Sequence, residues 1–107
     1  MPDALQVTTT TGDRDLAERI GTELVDRRLA ACAQVSGPIE SIYRWRGKIE
    51  RGEEWRCVAK TTTAHFAAIE SLIAELHPYD VPELIATPIV AAGRAYLDWL
   101  RGELGEA

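Results

Sequence analysis

The sequence predicts an α+β domain in which four strands and two helices alternate in the order βαββαβ, followed by a C-terminal helix. Three observations support this fold class. Short runs in which apolar and polar residues alternate, typical of half-buried strands, occur four times. Two longer segments between them carry apolar residues at the three- and four-residue spacing of amphipathic helices. The 107 residues, 46% of them apolar, suffice for one domain with its own core, residues 1–107.

The N-terminal segment contains a strand followed by a helix. Leu5, Val7 and Thr9 alternate with polar residues, which predicts a strand that ends before residues 10–12. A helix is predicted over residues 13–28, because acidic side chains at its start and basic ones at its end suit the helix dipole. The apolar face of this helix is formed by Leu16, Ile20 and Leu24.

A long hairpin is predicted next. Its first strand extends over residues 31–45 with a kink or bulge at Gly37-Pro38, and a turn at Gly47-Lys48 leads to a third strand over residues 55–61. At about 3.3 Å per residue the longer strand spans about 50 Å, whereas a compact domain of this size is about 35 Å across. The hairpin is therefore expected to project beyond its own domain. Its exposed apolar residues would be Ile42, Tyr43, Trp45, Ile49 and Trp55.

Such a hairpin predicts self-association. Large apolar side chains are costly to leave in water, and a projecting strand edge pairs readily with another chain. We therefore expect a homo-oligomer in which each hairpin packs on a neighbouring subunit.

The second half of the chain adds the remaining elements. A helix is predicted over residues 63–76, a strand over residues 84–90 and a last helix over residues 94–104, in which Tyr96 and Trp99 are expected to form a lid over the core. The apolar stripe of the first of these helices consists of Phe66, Ile69, Ile73 and Leu76. The complete order is the split-βαβ or ferredoxin-like arrangement, in which two helices cover one face of the sheet.

Charge and composition exclude several classes of partner. The chain has 12 basic and 17 acidic residues, a net charge of −5, and no cationic face, so neither nucleic acid nor an anionic membrane is an expected partner. No apolar run approaches the ~18 residues of a membrane-spanning helix, and Met1-Pro2-Asp3 does not begin a secretion signal. A cytoplasmic location is expected, with Cys32 and Cys57 as reduced, small, buried residues.

The segment from His77 to Glu83 is the most distinctive part of the chain. Pro78 and Pro82 fix φ and remove two backbone donors, so neither a helix nor a strand ladder continues through it. A stiff loop holds its polar groups in nearly fixed geometry, and binding there would lose little conformational entropy. The alternative is that the prolines simply end a helix and begin a strand. The groups in this segment able to bind protons or metals are His77, Tyr79, Asp80 and Glu83.

Four motifs together resemble the CutA divalent-cation tolerance family. They are RLAAC at residues 28–32, SIYRWRGKIE at 41–50, HPYDVPE at 77–83 and YLDWL at 96–100. The resemblance implies a cytoplasmic homotrimer of ferredoxin-like subunits, similar in architecture to the trimeric PII signalling proteins. It also implies a link to tolerance of copper and other divalent cations, and binding of Cu(II). Copper-binding proposals in the family use a cysteine at the end of the first strand and a histidine pair before Pro-Tyr; here these positions hold Thr9 and Leu76-His77.

The two histidines differ as candidate metal ligands. His77 is the better candidate, because imidazole suits Cu(II) and Zn(II) and Glu83 could add a carboxylate. Neighbouring subunits would supply further ligands. Alternatively, His77 caps the last carbonyls of the second helix. His65, near the start of that helix, is predicted to face solvent.

A possible ligand cleft between subunits is also predicted. The residues expected to converge there are Tyr43, Trp45, Lys60, Tyr79 and Glu83. The alternative is an interface network of hydrogen bonds and packed rings. No enzyme is expected, because the chain has no nucleophile-elbow, Walker, Rossmann or zinc-protease motif and both cysteines lie in apolar strand patterns.

The predicted function is therefore that of a non-enzymatic homotrimer that confers divalent-cation tolerance and binds Cu(II) or another divalent cation through His77 and Glu83. The alternative is a PII-like signalling or scaffold trimer that binds a small metabolite or a partner protein in its intersubunit clefts. A hydrolase is a third hypothesis, since acylphosphatases share the general topology, but topology alone does not establish function.

Overall fold

The computed structural model describes residues 3–106. Met1 and Pro2, on which the prediction about a secretion signal partly depends, and Ala107, the last residue of the predicted domain, lie outside the described residues. Within residues 3–106 no helix has the length and apolar character needed to span a membrane.

The elements follow one another in the predicted order. The strands are β1 (Ala4–Thr11), β2 (Cys32–Trp45), β3 (Lys48–Thr62) and β4 (Leu84–Pro88). The helices are α1 (Arg14–Asp26), α2 (Phe66–Leu76) and α3 (Arg94–Glu103), and a single 3-10 turn at Thr63–His65 precedes α2. The α+β class is thus confirmed.

The four strands form one antiparallel sheet in the order β2-β3-β1-β4. β1 pairs with β3 over its whole length, from Ala4 opposite Thr62 to Thr11 opposite Trp55. Its other side pairs with the shorter β4, from Leu84 opposite Thr9 to Pro88 opposite Leu5. β2 and β4 are therefore the two edges of the sheet.

One face of the sheet carries the main core. α1 begins after Asp13, whose carboxylate accepts a hydrogen bond from the N–H of Leu16 at 2.7 Å and so caps the helix. The apolar sides of α1 and α2 then pack on the sheet. The buried residues of this core are Val7, Ala17, Ile20, Leu24, Ala30, Cys57, Ala59, Ile69, Leu72 and Ile73.

The end of β1 differs from the prediction. The strand continues through Thr11 instead of ending before residues 10–12. Its threonines can be buried because their hydroxyls find partners: Thr9 donates to the carbonyl of Glu83 at 2.7 Å, and Thr11 donates to the carbonyl of Asp13. A polar residue with an internal partner is compatible with a buried strand.

The bounds of two other strands also differ. β3 begins at Lys48, directly after the turn, instead of at Trp55, because the charged residues between them pair with the far half of β2. β4 ends at Pro88 instead of residue 90, which agrees with the missing N–H of proline.

The β2–β3 hairpin accounts for the elongated shape of the chain. The molecule measures 47 × 25 × 22 Å. The predicted bulge is confirmed by a shift in register between Ser36 and Ile39. Beyond this shift the hairpin continues to Trp45 opposite Lys48, and most of its side chains are exposed in the single chain. The large apolar side chains exposed there are Ile42, Tyr43, Trp45 and Ile49.

α3 forms a second, smaller core. Leu100 and Leu104 are buried together with Ala31. Tyr96 and Trp99, predicted to lie over the core, are instead exposed, and their rings contact each other with centroids 5.7 Å apart. The lid over this end of the sheet is therefore aliphatic.

Candidate functional site

The loop between α2 and β4, residues 77–83 and called the proline loop below, is attached to neighbouring elements at both ends. The backbone N–H of His77 donates to the carbonyl of Ile73 at 2.8 Å and ends α2. At the other end of the loop, the carbonyl of Glu83 accepts the hydroxyl of Thr9. The predicted stiffness thus has a tertiary cause as well as two prolines.

The His77 imidazole is part of this attachment. The side chain is only 7% exposed, with Nε2 2.7 Å from the carbonyl oxygen of Thr10 and Nδ1 3.2 Å from the backbone nitrogen of Tyr79. A carbonyl can only accept and a backbone N–H can only donate, so Nε2 carries the ring proton and Nδ1 accepts. The ring bonds to β1 and to its own loop. His77 therefore caps α2, as the alternative predicts, but through its backbone N–H and not through the imidazole.

These contacts determine whether His77 and Glu83 suit a divalent cation. A metal needs a free lone pair on an imidazole nitrogen, but both ring nitrogens of His77 are engaged in protein hydrogen bonds. The side chain of Glu83 is exposed, and its contact with β1 is made by its backbone carbonyl. Residues 3–106 also contain no cluster of three or more His, Cys, Asp or Glu side chains able to hold a metal ion. The predicted pair therefore does not fit a metal within one chain, and ligands from a neighbouring subunit stay a prediction.

Tyr79 links the proline loop to the hairpin. Its hydroxyl donates to the carboxylate of Glu54 at 3.2 Å, and its ring packs against His77 with centroids 4.5 Å apart. Burial, and then the negative charge of Glu54, raises the pKa of Tyr79. A Cβ at Gly12 would lie 3.2 Å from the same hydroxyl. The loop, the β1–α1 turn and β3 therefore meet at this tyrosine.

The remaining residues of the predicted cleft lie at separate places in the single chain. Lys60 donates to the side chain of Gln34 at 2.8 Å, between β3 and β2. Tyr43 is on the hairpin and Trp45 is at its turn, where the guanidinium of Arg46 lies 5.7 Å from the indole centroid. That these residues converge between subunits stays a prediction.

The two cysteines lie on opposite faces of the sheet. Cys57 is buried in the core opposite Val35, and Cys32, three residues before Val35, points the other way towards the hydroxyl of Tyr96 at 3.5 Å. Both thiols are free, as predicted, although Cys32 is half-buried instead of fully buried. A disulfide between them would have to pass through the sheet.

We expect the burial of Cys57 to lower stability at alkaline pH. Burial raises the pKa of its thiol from 9.0 to about 11. The folded state therefore keeps the proton while the unfolded state loses it, so this contribution is fully present below pH 9 and is lost as the pH rises through 11. The expected loss is about 2 kcal/mol by pH 10.5. Urea unfolding at pH 8 and pH 10.5 should show a steeper fall for the wild type than for Cys57→Ala, and equal falls would contradict this prediction.

His65 also differs from its prediction. Its side chain is largely covered instead of facing solvent, and Nε2 lies 3.1 Å from the carboxylate of Glu106. The partners of both histidines, Thr10 and Glu106, were not identified from the sequence. They are 67 and 41 positions away from His77 and His65, and no local pattern marks such pairs.

Similarity to known proteins identifies the family of this chain. The model of the family described as "CutA1 divalent ion tolerance protein" matches residues 5–103. The divalent-cation tolerance protein CutA of Thermus thermophilus is 42% identical over 96 residues, which are 90% of this chain and 93% of that protein. A probable divalent-cation tolerance protein of Encephalitozoon cuniculi is 44% identical over 99 residues, 92% of this chain and 84% of that protein.

Solved structures give the same result. The Cut A1 protein of Thermus thermophilus aligns with a TM-score of 0.91 at 40% identity, covering 94% of this chain and 97% of that one. CutA1 of Shewanella sp. SIB1 aligns with a TM-score of 0.91 at 43% identity, covering 95% of both chains. The Archaeoglobus fulgidus relative, named a periplasmic divalent cation tolerance protein CutA, aligns with a TM-score of 0.91 at 32% identity, covering 94% and 98%. The resemblance seen in the four sequence motifs is thus confirmed, and the chain belongs to the CutA1 divalent ion tolerance protein family.

Proposed function

We propose that this protein is a non-enzymatic homotrimer that contributes to the tolerance of divalent cations in the cytoplasm. Relatives named divalent-cation tolerance proteins, 42% and 44% identical over nine tenths of the chain, support the general function. The observation that carries the assembly is the apolar surface of the hairpin. Ile49, for example, is 66% exposed in the single chain, a costly state for a large aliphatic side chain.

The two edges of the sheet support a head-to-tail arrangement. The β2 edge belongs to the hairpin with its exposed aromatic and aliphatic side chains, whereas β4 and the segments next to it expose a different set of aliphatic side chains. These are Ile85 in β4, Val81 before it and Val90 after it, the last being 84% exposed. Contacts between two unlike surfaces form a ring when the rotation closes. A ring of three such contacts is the assembly that the family resemblance implies.

The chemistry of the reactive side chains supports the non-enzymatic part of the proposal. The raised pKa of Cys57 keeps its thiol protonated, and a protonated thiol is a poor nucleophile. The His77 ring would have to break one of its two hydrogen bonds before it could act as a base. Neither residue is therefore poised for catalysis.

Sedimentation velocity of the wild type and Ile49→Glu tests the assembly. The wild type should sediment at micromolar concentration as a species of about 35 kDa, three times the 11.8 kDa chain. Ile49→Glu should sediment as a monomer, because the proposed contact would bury an unpaired carboxylate. Ala68→Glu, on the exposed side of α2, is the matched control and should remain trimeric. A monomeric wild type would overturn the proposed assembly.

The tolerance function has its own test. A host strain that lacks its own gene for this family should grow at higher Cu(II) concentrations when it expresses the wild-type chain. The monomeric Ile49→Glu variant should restore less growth than Ala68→Glu. If the wild-type chain gives no growth advantage at any Cu(II) or Zn(II) concentration, the tolerance role does not hold for this protein.

A further inference from the structure

We infer that α3 is a lid that detaches from the sheet while the rest of the domain stays folded, and that its opening uncovers the Cys32 thiol. This motion takes place within one chain and goes beyond the proposed function. α3 lies on the face of the sheet opposite α1 and α2. Val35 packs on the main core, whereas Cys32, three residues earlier, projects from the other face, where the hydroxyl of Tyr96 in α3 lies 3.5 Å from its sulfur.

The apolar contacts of the lid are separate from the main core. Leu100 in α3 and Leu104 directly after it are buried with Ala31 in the second, smaller core. The buried residues of the main core all come from β1, α1, the segment before β2, β3 and α2. The main core therefore keeps all its members when α3 leaves the sheet, and only the small cluster is exposed.

The other contacts that hold the lid are polar and partly open to water. Arg101 donates to the carboxylate of Asp3 at 2.6 and 3.4 Å, and these side chains are 32% and 39% exposed. Behind α3, the carboxylate of Glu106 accepts the hydroxyl of Thr62 at 2.7 Å and lies 3.1 Å from Nε2 of His65. Ion pairs at partly exposed positions add little to stability, and salt screens them. The lid is thus held mainly by two leucines.

The segment before α3 provides a hinge. The N–H of Ile89 donates to the carbonyl of Ala4 at 2.9 Å and ties the chain to the sheet just before this segment. Residues 90–93 are exposed, and Gly93 precedes the first turn of α3 without a side-chain cap. A helix of 10 residues is marginal in water without tertiary packing. We therefore expect α3 to lose its helical hydrogen bonds when it detaches.

The two free cysteines distinguish opening of the lid from unfolding of the domain. Cys32 is half-buried beside Tyr96, so its thiol gains access to solvent when α3 leaves. Cys57 is buried in the main core and stays covered until the whole domain unfolds. The reactivity of each thiol therefore reports on a different event.

Labelling of the native full-length protein with N-ethylmaleimide tests the lid, with peptide mass spectrometry assigning the label to each cysteine. Each rate is divided by the rate of the same thiol in the urea-unfolded protein. In the wild type, Cys32 should react about 100-fold faster than Cys57. The Cys57 rate should rise steeply with urea and the Cys32 rate only slightly, because urea favours an opening in proportion to the surface it exposes.

Two apolar substitutions separate the lid from the main core. Leu104→Ala destabilises the closed state relative to both the open and the unfolded state, so it should accelerate labelling of Cys32 and Cys57 alike, by about tenfold or more. Ile73→Val removes one methyl group from the main core, which stays intact when the lid opens. It should accelerate labelling of Cys57 several-fold and leave that of Cys32 unchanged.

The ion pair of the lid has its own variant. Arg101→Gln removes the contact with Asp3, so it should accelerate labelling of Cys32 several-fold and reduce the increase that NaCl causes in the wild type. Arg94→Gln is the matched control. Arg94 lies in the first turn of α3 and forms no ion pair within residues 3–106, so this variant should label like the wild type.

Four results would overturn the inference. A Cys32 rate unchanged by Leu104→Ala would show that the thiol reacts with the lid closed. Equal acceleration of Cys32 and Cys57 by Ile73→Val would show that only unfolding of the whole domain exposes Cys32. A Cys32 rate that falls as the chain concentration rises would assign the labelling to dissociation of subunits. Hydrogen exchange in α3 as slow as in α1 would show that α3 does not open first.

Discussion

Replacing Gly37 with alanine is expected to destabilise the fold by about 3 kcal/mol or more. Gly37 has φ of 152°, a conformation that side-chain-bearing residues rarely adopt. A Cβ at this position would also lie 2.7 Å and 2.9 Å from two ring atoms of Trp55, well inside van der Waals contact. The indole has little room to move away, because it packs against the main core and the guanidinium of Arg14 lies 5.5 Å from its ring.

Urea unfolding at one fixed chain concentration measures this effect, since the stability of an oligomer depends on concentration. Gly102→Ala is the matched control. Gly102 lies in α3, and a Cβ there would meet nothing within 4 Å, so alanine should stabilise the protein by about 0.5–1 kcal/mol. The two substitutions add the same methyl group and should change stability in opposite directions. A Gly37→Ala variant as stable as the wild type would show that Trp55 does not pack over Gly37 in solution.

The order of elements could be predicted from the sequence because it depends on local periodicity. Helix α1 illustrates this, since Leu16, Ile20 and Leu24 recur at helical spacing and Asp13 provides the cap. The end of β1 could not be predicted in this way. Thr9 and Thr11 are polar, and their burial depends on carbonyl partners, one of them in the proline loop. A pattern of residue types does not reveal such partners.

The packing of α3 has a similar explanation. Tyr96 and Leu100 lie on one side of the helix, one turn apart, so periodicity alone gives both residues the same environment. Which of them is buried depends on where the helix crosses the sheet. The buried pair is Leu100 and Leu104, one turn further along, and Tyr96 is left at the margin beside Cys32.

The proline loop shows what residue types can and cannot predict about a site. The prolines correctly predicted an irregular segment. His77, Tyr79 and Glu83 each make a hydrogen bond that attaches this segment to a neighbouring strand. The sequence could not reveal whether the His77 lone pairs are free, because this depends on the backbone of β1, 67 residues away. A ligand type in the right motif is therefore insufficient evidence for a metal site.

The loss of the His77 ring nitrogens is expected to destabilise the fold itself. β4 begins opposite Thr9, so its ladder does not extend to Thr10, and His77 donates a hydrogen bond to the carbonyl of Thr10 instead. His77→Phe keeps an aromatic ring but leaves the buried carbonyl of Thr10 and the partly buried N–H of Tyr79 without partners. Each unsatisfied group costs about 1–3 kcal/mol, so the expected loss is about 2–6 kcal/mol.

The matched control for this prediction is His65→Phe, because His65 bonds to a partly exposed side chain instead of two backbone groups. It should cost less than about 1 kcal/mol, because Glu106 stays partly exposed to water and keeps its hydrogen bond from Thr62. Urea unfolding compares the variants, and hydrogen exchange at the Tyr79 amide should accelerate in His77→Phe alone. Long-range ¹H–¹⁵N NMR spectra of the wild type should show that the His77 ring carries a proton at Nε2 and accepts a hydrogen bond at Nδ1. If His77→Phe were as stable as His65→Phe, the ring would not hold the loop, and its nitrogens would again be available to a metal.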